Sequence, residues 1–278
     1  MNNWLRREKL PIKPRIKTIH PAKNRFLSTK LIIFLIIPFL ISACGPTYPR
    51  EKVIESIIKI SREKYGVEVK AKQINKTICV LVPGEDFFGI DEGGRLAFNP
   101  EKEKKLNELL FSIPRILFNS DIEVDFYLIK VLEENKGIEL RFIGYVDDIK
   151  HAIIGSFSPG DLRMRRVLEV TRYSKSDITE REKFEEAKWA DFLIKQIQNR
   201  VTAKFPGKID LAGNKEGEKF VFVLVSRETT QKIIDYTCQT IARVMEAYKF
   251  KDFESVSLLE LNSGKIIVLD KNNLKKYR

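Results

Sequence analysis

The sequence predicts an α+β protein made of two similar helix-strand-strand-helix-strand-strand modules. Each would be a mostly antiparallel four-stranded sheet with helices on one face. Three observations predict it. Short runs alternate apolar and polar residues with a period of two, while longer runs repeat apolar residues at spacings of three and four. The two kinds of run occur in the same order twice. The composition is that of a globular chain: of 278 residues 43% are apolar and 32% charged, with 14 Gly and 11 Pro, which excludes wholesale disorder and fibrous repeats.

The first module spans 51–146. Val53, Ile54, Ile57, Ile58, Ser61 and Tyr65 form a helical stripe, and Gly66 is placed to stop it. Val67, Val69 and Ala71 alternate with charged residues as a half-buried strand, a turn is expected at Gln73–Lys76, and Thr77–Val82 reads as the next strand. After a glycine-rich loop over 83–100, Asn99-Pro100-Glu101 starts a helix through Leu106, Leu109, Leu110, Ile113 and Leu117, with Pro114 as a kink. A long strand is expected through Ile122, Val124, Phe126 and Leu128. A hairpin at Glu133–Gly137 then leads to a strand through Ile138, Leu140 and Phe142.

Residues 147–176 read as a connector. It holds a short helix ended by Gly155, the turn Ser158-Pro159-Gly160, and a segment from Asp161 to Tyr173 that could be helix or strand. The second module, 177–278, repeats the order. A helix is expected from about Asp177 through Ala190, Leu193, Ile194, Ile197 and Val201. A short strand at Ile209–Leu211 and an apolar strand at Phe220–Val225 follow. Next come a helix capped by Ser226 through Ile234, Cys238, Ile241, Met245 and Tyr248, and a hairpin around Asn262-Ser263-Gly264. On this reading Ile78–Val82 corresponds to Phe220–Leu224.

The net charge is +12, but nine Lys or Arg against one Glu in residues 1–43 account for +8 of it. The remaining 235 residues carry only +4 on a mixed surface, which argues against a nucleic-acid partner. Residues 31–43, LIIFLIIPFLISA, are uncharged and too short to span a bilayer, which takes about 20 residues. A basic lead, a short apolar core and small residues at its end describe an export signal. Ile41-Ser42-Ala43-Cys44 resembles the lipobox of bacterial lipoproteins. The resemblance implies cleavage between Ala43 and Cys44, a diacylglycerol on the Cys44 thiol, frequent acylation of the freed amine, and a bilayer as partner. It makes 1–43 a signal peptide and 44–50 a tether. Gly45 replaces the Asp that retains enterobacterial lipoproteins in the inner membrane, which favours the outer membrane where the source has one. Two or three acyl chains give stable anchoring, at about 0.8 kcal/mol per buried methylene. Export also implies oxidising surroundings, in which Cys79 and Cys238 could pair or remain buried thiols.

No catalytic, cofactor or metal motif stands out. His151, the only His left after export, lies beside Asp147 and Asp148 and reads as an exposed helix residue. The loop GEDFFGIDEGGRLAFN, 84–99, holds Asp86, Asp91 and Glu92, whose spacing is not that of an EF-hand. Its Phe87, Phe88, Ile90 and Phe98 either fold back over the sheet or form a partner surface. Arg163, Arg165 and Arg166 are a compact basic cluster, read as a solvated connector face or as a contact for anionic lipid or polymer. The expected function is a non-catalytic binding or scaffold module of the cell envelope with a protein or polymer partner. The alternative is an exported hydrolase using Asp86, Asp91 and Glu92 as paired carboxylates.

Overall fold

The computed structural model describes residues 48–90, 96–227 and 230–277. The predicted signal, the Ala43/Cys44 junction, and Asp91 and Glu92 lie outside the described residues, as does the Ile90 side chain.

The class is α+β, and the module pattern is found twice. The first module runs α1 (Val53–Tyr65), β1 (Lys70–Ile74), β2 (Thr77–Pro83), the small hairpin β3 (Phe88–Ile90) and β4 (Leu96–Phe98), α2 (Pro100–Phe118), β5 (Phe126–Glu133) and β6 (Ile138–Tyr145). The connector forms α3 (Val146–Ile153), α4 (Pro159–Met164) and β7 (Val167–Arg172). The second module runs α5 (Ile178–Arg181), α6 (Trp189–Lys204), β8 (Ile209–Glu216), β9 (Lys219–Ser226), α7 (Gln231–Ala247), β10 (Ser255–Glu260), β11 (Lys265–Asp270) and α8 (Lys271–Leu274).

The strand logic is the same in both. β1 pairs antiparallel with β2, β2 parallel with β5 across the α2 crossover, and β5 antiparallel with β6. Likewise β8 pairs antiparallel with β9, β9 parallel with β10 across α7, and β10 antiparallel with β11. β2 and β9, the predicted counterparts, thus hold equivalent positions. The first sheet gains a fifth strand, because β7 from the connector pairs antiparallel with β6, Val167 opposite Ile143. The segment from Asp161 to Tyr173 is therefore helix and then strand.

Helix ends follow local chemistry. Gly66 takes φ 64° and closes α1, and Asn99 accepts from the Glu101 amide at 3.1 Å ahead of Pro100. The β1–β2 turn is only Asn75-Lys76, with Asn75 at φ 49°. The strand predicted from Ile122 begins at Phe126 instead. Its parallel partner β2 starts at Thr77, opposite Phe126, so the earlier residues have nothing to pair with. Ser226 ends β9 and does not cap α7, whose N-cap residue is Thr230. The helix predicted from Asp177 is broken: α5 ends at Arg181 and α6 starts at Trp189. The carbonyls of Arg181 and Lys183 are taken by the buried Lys130 ammonium, at 2.6 and 3.2 Å, which removes them from any helical ladder.

Two apolar clusters form the core. One lies between α1, α2 and one face of the first sheet, with Ile78, Val80, Tyr127, Ile129 and Leu140 facing the helices. The other joins the opposite face (Cys79, Leu81, Phe126, Leu128, Ile143, Val167) to α6, α7 and the inner face of the second sheet. Phe126 meets Trp189 and Phe192 at 4.7 and 5.1 Å, and Tyr145 meets Tyr248 at 5.8 Å, so aromatic packing fastens module to module. Cys79 and Cys238 are separate buried thiols, and burial pushes the Cys238 thiol up to about 11. The outer face of the second sheet carries exposed Val225, Ile266 and Val268.

Candidate functional site

The connector and the second module meet at a polar cleft, and its walls can be built from sequence. Ser158 and Asp161 form a capping box: Ser158 Oγ accepts from the Asp161 amide at 3.1 Å, and Asp161 Oδ2 accepts from the Ser158 amide at 3.1 Å. With Pro159 at the first position this fixes the start of α4 and places Arg165 just past its end. Arg165 Nη1 donates to Asp148 Oδ1 at 2.7 Å, and Tyr248 Oη donates to Asp148 Oδ2 at 3.1 Å. The Arg165 guanidinium also lies 4.1 Å from the Phe157 ring centre. Burial pushes the Asp148 carboxyl above its ordinary value, with Arg165 and Tyr248 pulling the other way, and raises the Tyr248 phenol. One buried carboxylate thus ties α3, the connector and the end of α7 together.

Beyond this triad opens a hollow of about 410 Å³, lined by Phe157, Arg200, Tyr236, Thr240 and Arg243 among others. α6 supplies Arg200, and α7 supplies Tyr236, Thr240 and Arg243 at spacings of four and three along one face. Among the described residues no ion pair within 4.0 Å joins Arg200 or Arg243 to a carboxylate, while the charges of Asp148 and Asp161 act on Arg200 from further off. The Arg200 Nε is shielded from solvent without a hydrogen-bond partner, and burial lowers the pKa of this side chain. The arrangement can hold negative charge.

The residues predicted from sequence are distributed differently. Phe87 and Phe88 are buried and Phe98 is half-buried, with Phe88 and Phe98 rings 4.8 Å apart. These three residues fold back against the first module's core. Burial drives it, and the Phe88 amide donates to the buried Glu133 carboxylate at 3.0 Å. Lys136 pairs with Glu133 at 2.6 Å and with the exposed Asp86 at 3.6 Å, so Asp86 has a lysine for its neighbour. His151 is exposed, 3.9 Å from Asp147. The arginine cluster splits: Arg163 is exposed, Arg165 belongs to the Asp148 triad, and Arg166 lies over Phe111 at 5.3 Å. Among the described residues no group of His, Cys, Asp and Glu is set to hold a metal ion, and no helix is long and apolar enough to cross a membrane.

Sequence reasoning missed two features. Arg200 follows Ile197 by three and Leu193 by seven, which puts a charge on the apolar stripe of its helix. That misplacement was the available signal. The other is Lys130 in Phe126–Glu133, a lysine inside an apolar strand run. It is fully buried against Glu185 at 2.6 Å and Glu139 at 3.4 Å, while Arg181 binds Glu139 at 2.9 Å and Arg141 binds Glu185 at 2.7 Å. This closed network latches residues 181–185 onto the first sheet.

No protein-family model matches the chain, and no curated protein matches it. Among solved structures, one described as "Crystal structure of Sex pheromone staph-cAM373 precursor" is similar at 9% identity and a TM-score of 0.23, covering 81% of this chain and 83% of its own. A likeness at that level speaks to neither fold nor function.

Proposed function

We propose that this chain is a lipid-anchored envelope protein, a binding module held at a membrane surface through an acylated Cys44. The observation that carries the reading is the position of Ile41-Ser42-Ala43-Cys44, which ends four residues ahead of Tyr48, the first described residue. The Tyr48 amide donates to the Asn119 carbonyl at 3.1 Å, and Tyr48 bridges to Ser120. Four residues of chain reach at most about 14 Å, so a lipid on Cys44 would hold this end of α2, with its Arg115, within about one bilayer-leaflet thickness of the headgroups. The polar cleft between the connector and the second module supports binding as the role of the body. A protein or polymer of the envelope fits as the partner.

The test is the Cys44→Ala variant, expressed in a host with lipoprotein processing. The expected result is a protein with an unchanged melting curve that moves from the membrane to the soluble fraction. Persistence in the membrane fraction sinks the anchoring claim. Thiol counting gives an independent readout. The chain has three Cys, and Cys79 and Cys238 are buried, so native processed protein should show no fast thiol and unfolded processed protein two. A third thiol after unfolding means that Cys44 is unmodified.

A further inference from the structure

We infer that the cleft between α4, α6 and α7 is a phosphate-binding site in which Arg200 and Arg243 grip the oxyanion. The charges around it are unequal in their commitments. Arg165 is neutralised by Asp148 at 2.7 Å. Asp161, the carboxylate on the cleft wall, spends one oxygen on the capping box, where it meets Ser158 Oγ at 2.7 Å and the Ser158 amide at 3.1 Å. Arg200 and Arg243 line the same hollow with no direct ion pair among the described residues, although Asp148 and Asp161 act on Arg200 at longer range. Arg200 is the more enclosed of the two: its Nε is closed off from water, so it is the outer nitrogens of its guanidinium that the hollow can reach. A half-buried guanidinium gives up hydration, which an acceptor in the hollow would restore.

An oxyanion fits that role. A guanidinium presents its donors as a planar fork that matches oxygen pairs on phosphate or carboxylate. A carboxylate is satisfied by one fork. A phosphate offers more oxygens and up to two charges, which suits two forks converging from neighbouring helices. The buried Thr240 lines the same wall and brings a hydroxyl. Phe157 and Tyr236 give the hollow apolar sides, and about 410 Å³ is room for a phosphate ester with a small organic body. The phosphate could belong to a soluble ester or to a lipid headgroup, and the experiment separates the two.

The experiment uses the full chain carrying Cys44→Ala, with inorganic phosphate and glycerol phosphate as probes and sodium chloride holding ionic strength constant. Melting temperature and isothermal titration are both read. Phosphate is expected to raise the melting temperature and to bind saturably. Arg200→Gln and Arg243→Gln should each weaken binding about tenfold or more, and the exposed Arg163→Gln should leave it unchanged. If Arg200→Gln does not fold, Arg243→Gln still reports, since Arg243 is exposed and its replacement spares the core. Vesicles containing phosphatidylglycerol form the second arm: binding lost in Arg243→Gln assigns a lipid source, and binding of glycerol phosphate alone assigns a soluble one. The proposal is overturned if neither probe nor vesicle binds, if binding survives both arginine variants, or if acetate binds as tightly as phosphate.

Discussion

Lys130 shows what one side chain can decide. Its ammonium, fully buried, holds two main-chain carbonyls and two carboxylates. Lys130→Ala would leave Glu139 and two carbonyls short of a partner, and should destabilise the fold by about 3–5 kcal/mol by chemical denaturation. Replacing Lys130 with Met together with Glu139→Gln should recover part of that loss, because the uncompensated charge goes as well. Gly144 is a second decisive residue: a Cβ built there would run into the ring of buried Tyr127. Gly144→Ala should therefore cost about 1–3 kcal/mol, read as a fall in denaturation midpoint at constant slope. Neither effect was legible in the sequence. A lysine in a strand run and a glycine near a strand end gain their meaning only from what the fold sets opposite them.

At the scale of elements, order and type were legible and limits were not. The stripe ending at Tyr65 and the Asn99-Pro100 start fell where the periodicity put them, because propensity, caps and burial agreed there. The helix expected from Asp177 failed because a tertiary partner, Lys130, outbid local preference for its carbonyls. β7 was ambiguous because its residues acquire strand geometry only by lying beside β6. The register of the second sheet makes its own prediction. Ile266 and Val268 of β11 point outward and are 64% and 59% exposed, whereas Leu258 of β10 is 1% exposed. Ile266→Thr and Val268→Thr should each change stability by no more than about 0.5 kcal/mol, and Leu258→Ala should cost about 2–5 kcal/mol in the same denaturation assay. Equal effects would mean that the strand is turned the other way.

Taken whole, the molecule has two modules by topology and a shared apolar interior between them. Cys79, Leu81 and Leu128 of the first sheet belong to the same cluster as Phe192, Ile234 and Phe222 of the second module. Unfolding should therefore be one transition, with calorimetric and van't Hoff enthalpies equal, and Leu128→Ala should lower the single melting temperature without splitting it. The candidate cleft belongs to this scale too. Its arginines come from places far apart in sequence, Arg200 on α6 and Arg243 on α7, so no local motif could announce it. Only the mismatch of a charge on an apolar stripe pointed there.

The duplicated strand plan carries a kinetic consequence. In each half the two inner strands run side by side and can zip together only after the helix between them has swung across. A nascent polypeptide written this way offers every such strand two berths, its own and the matching slot of its twin. Refolding from denaturant should then be slowed by a population that docks in the wrong berth and must let go before it can finish.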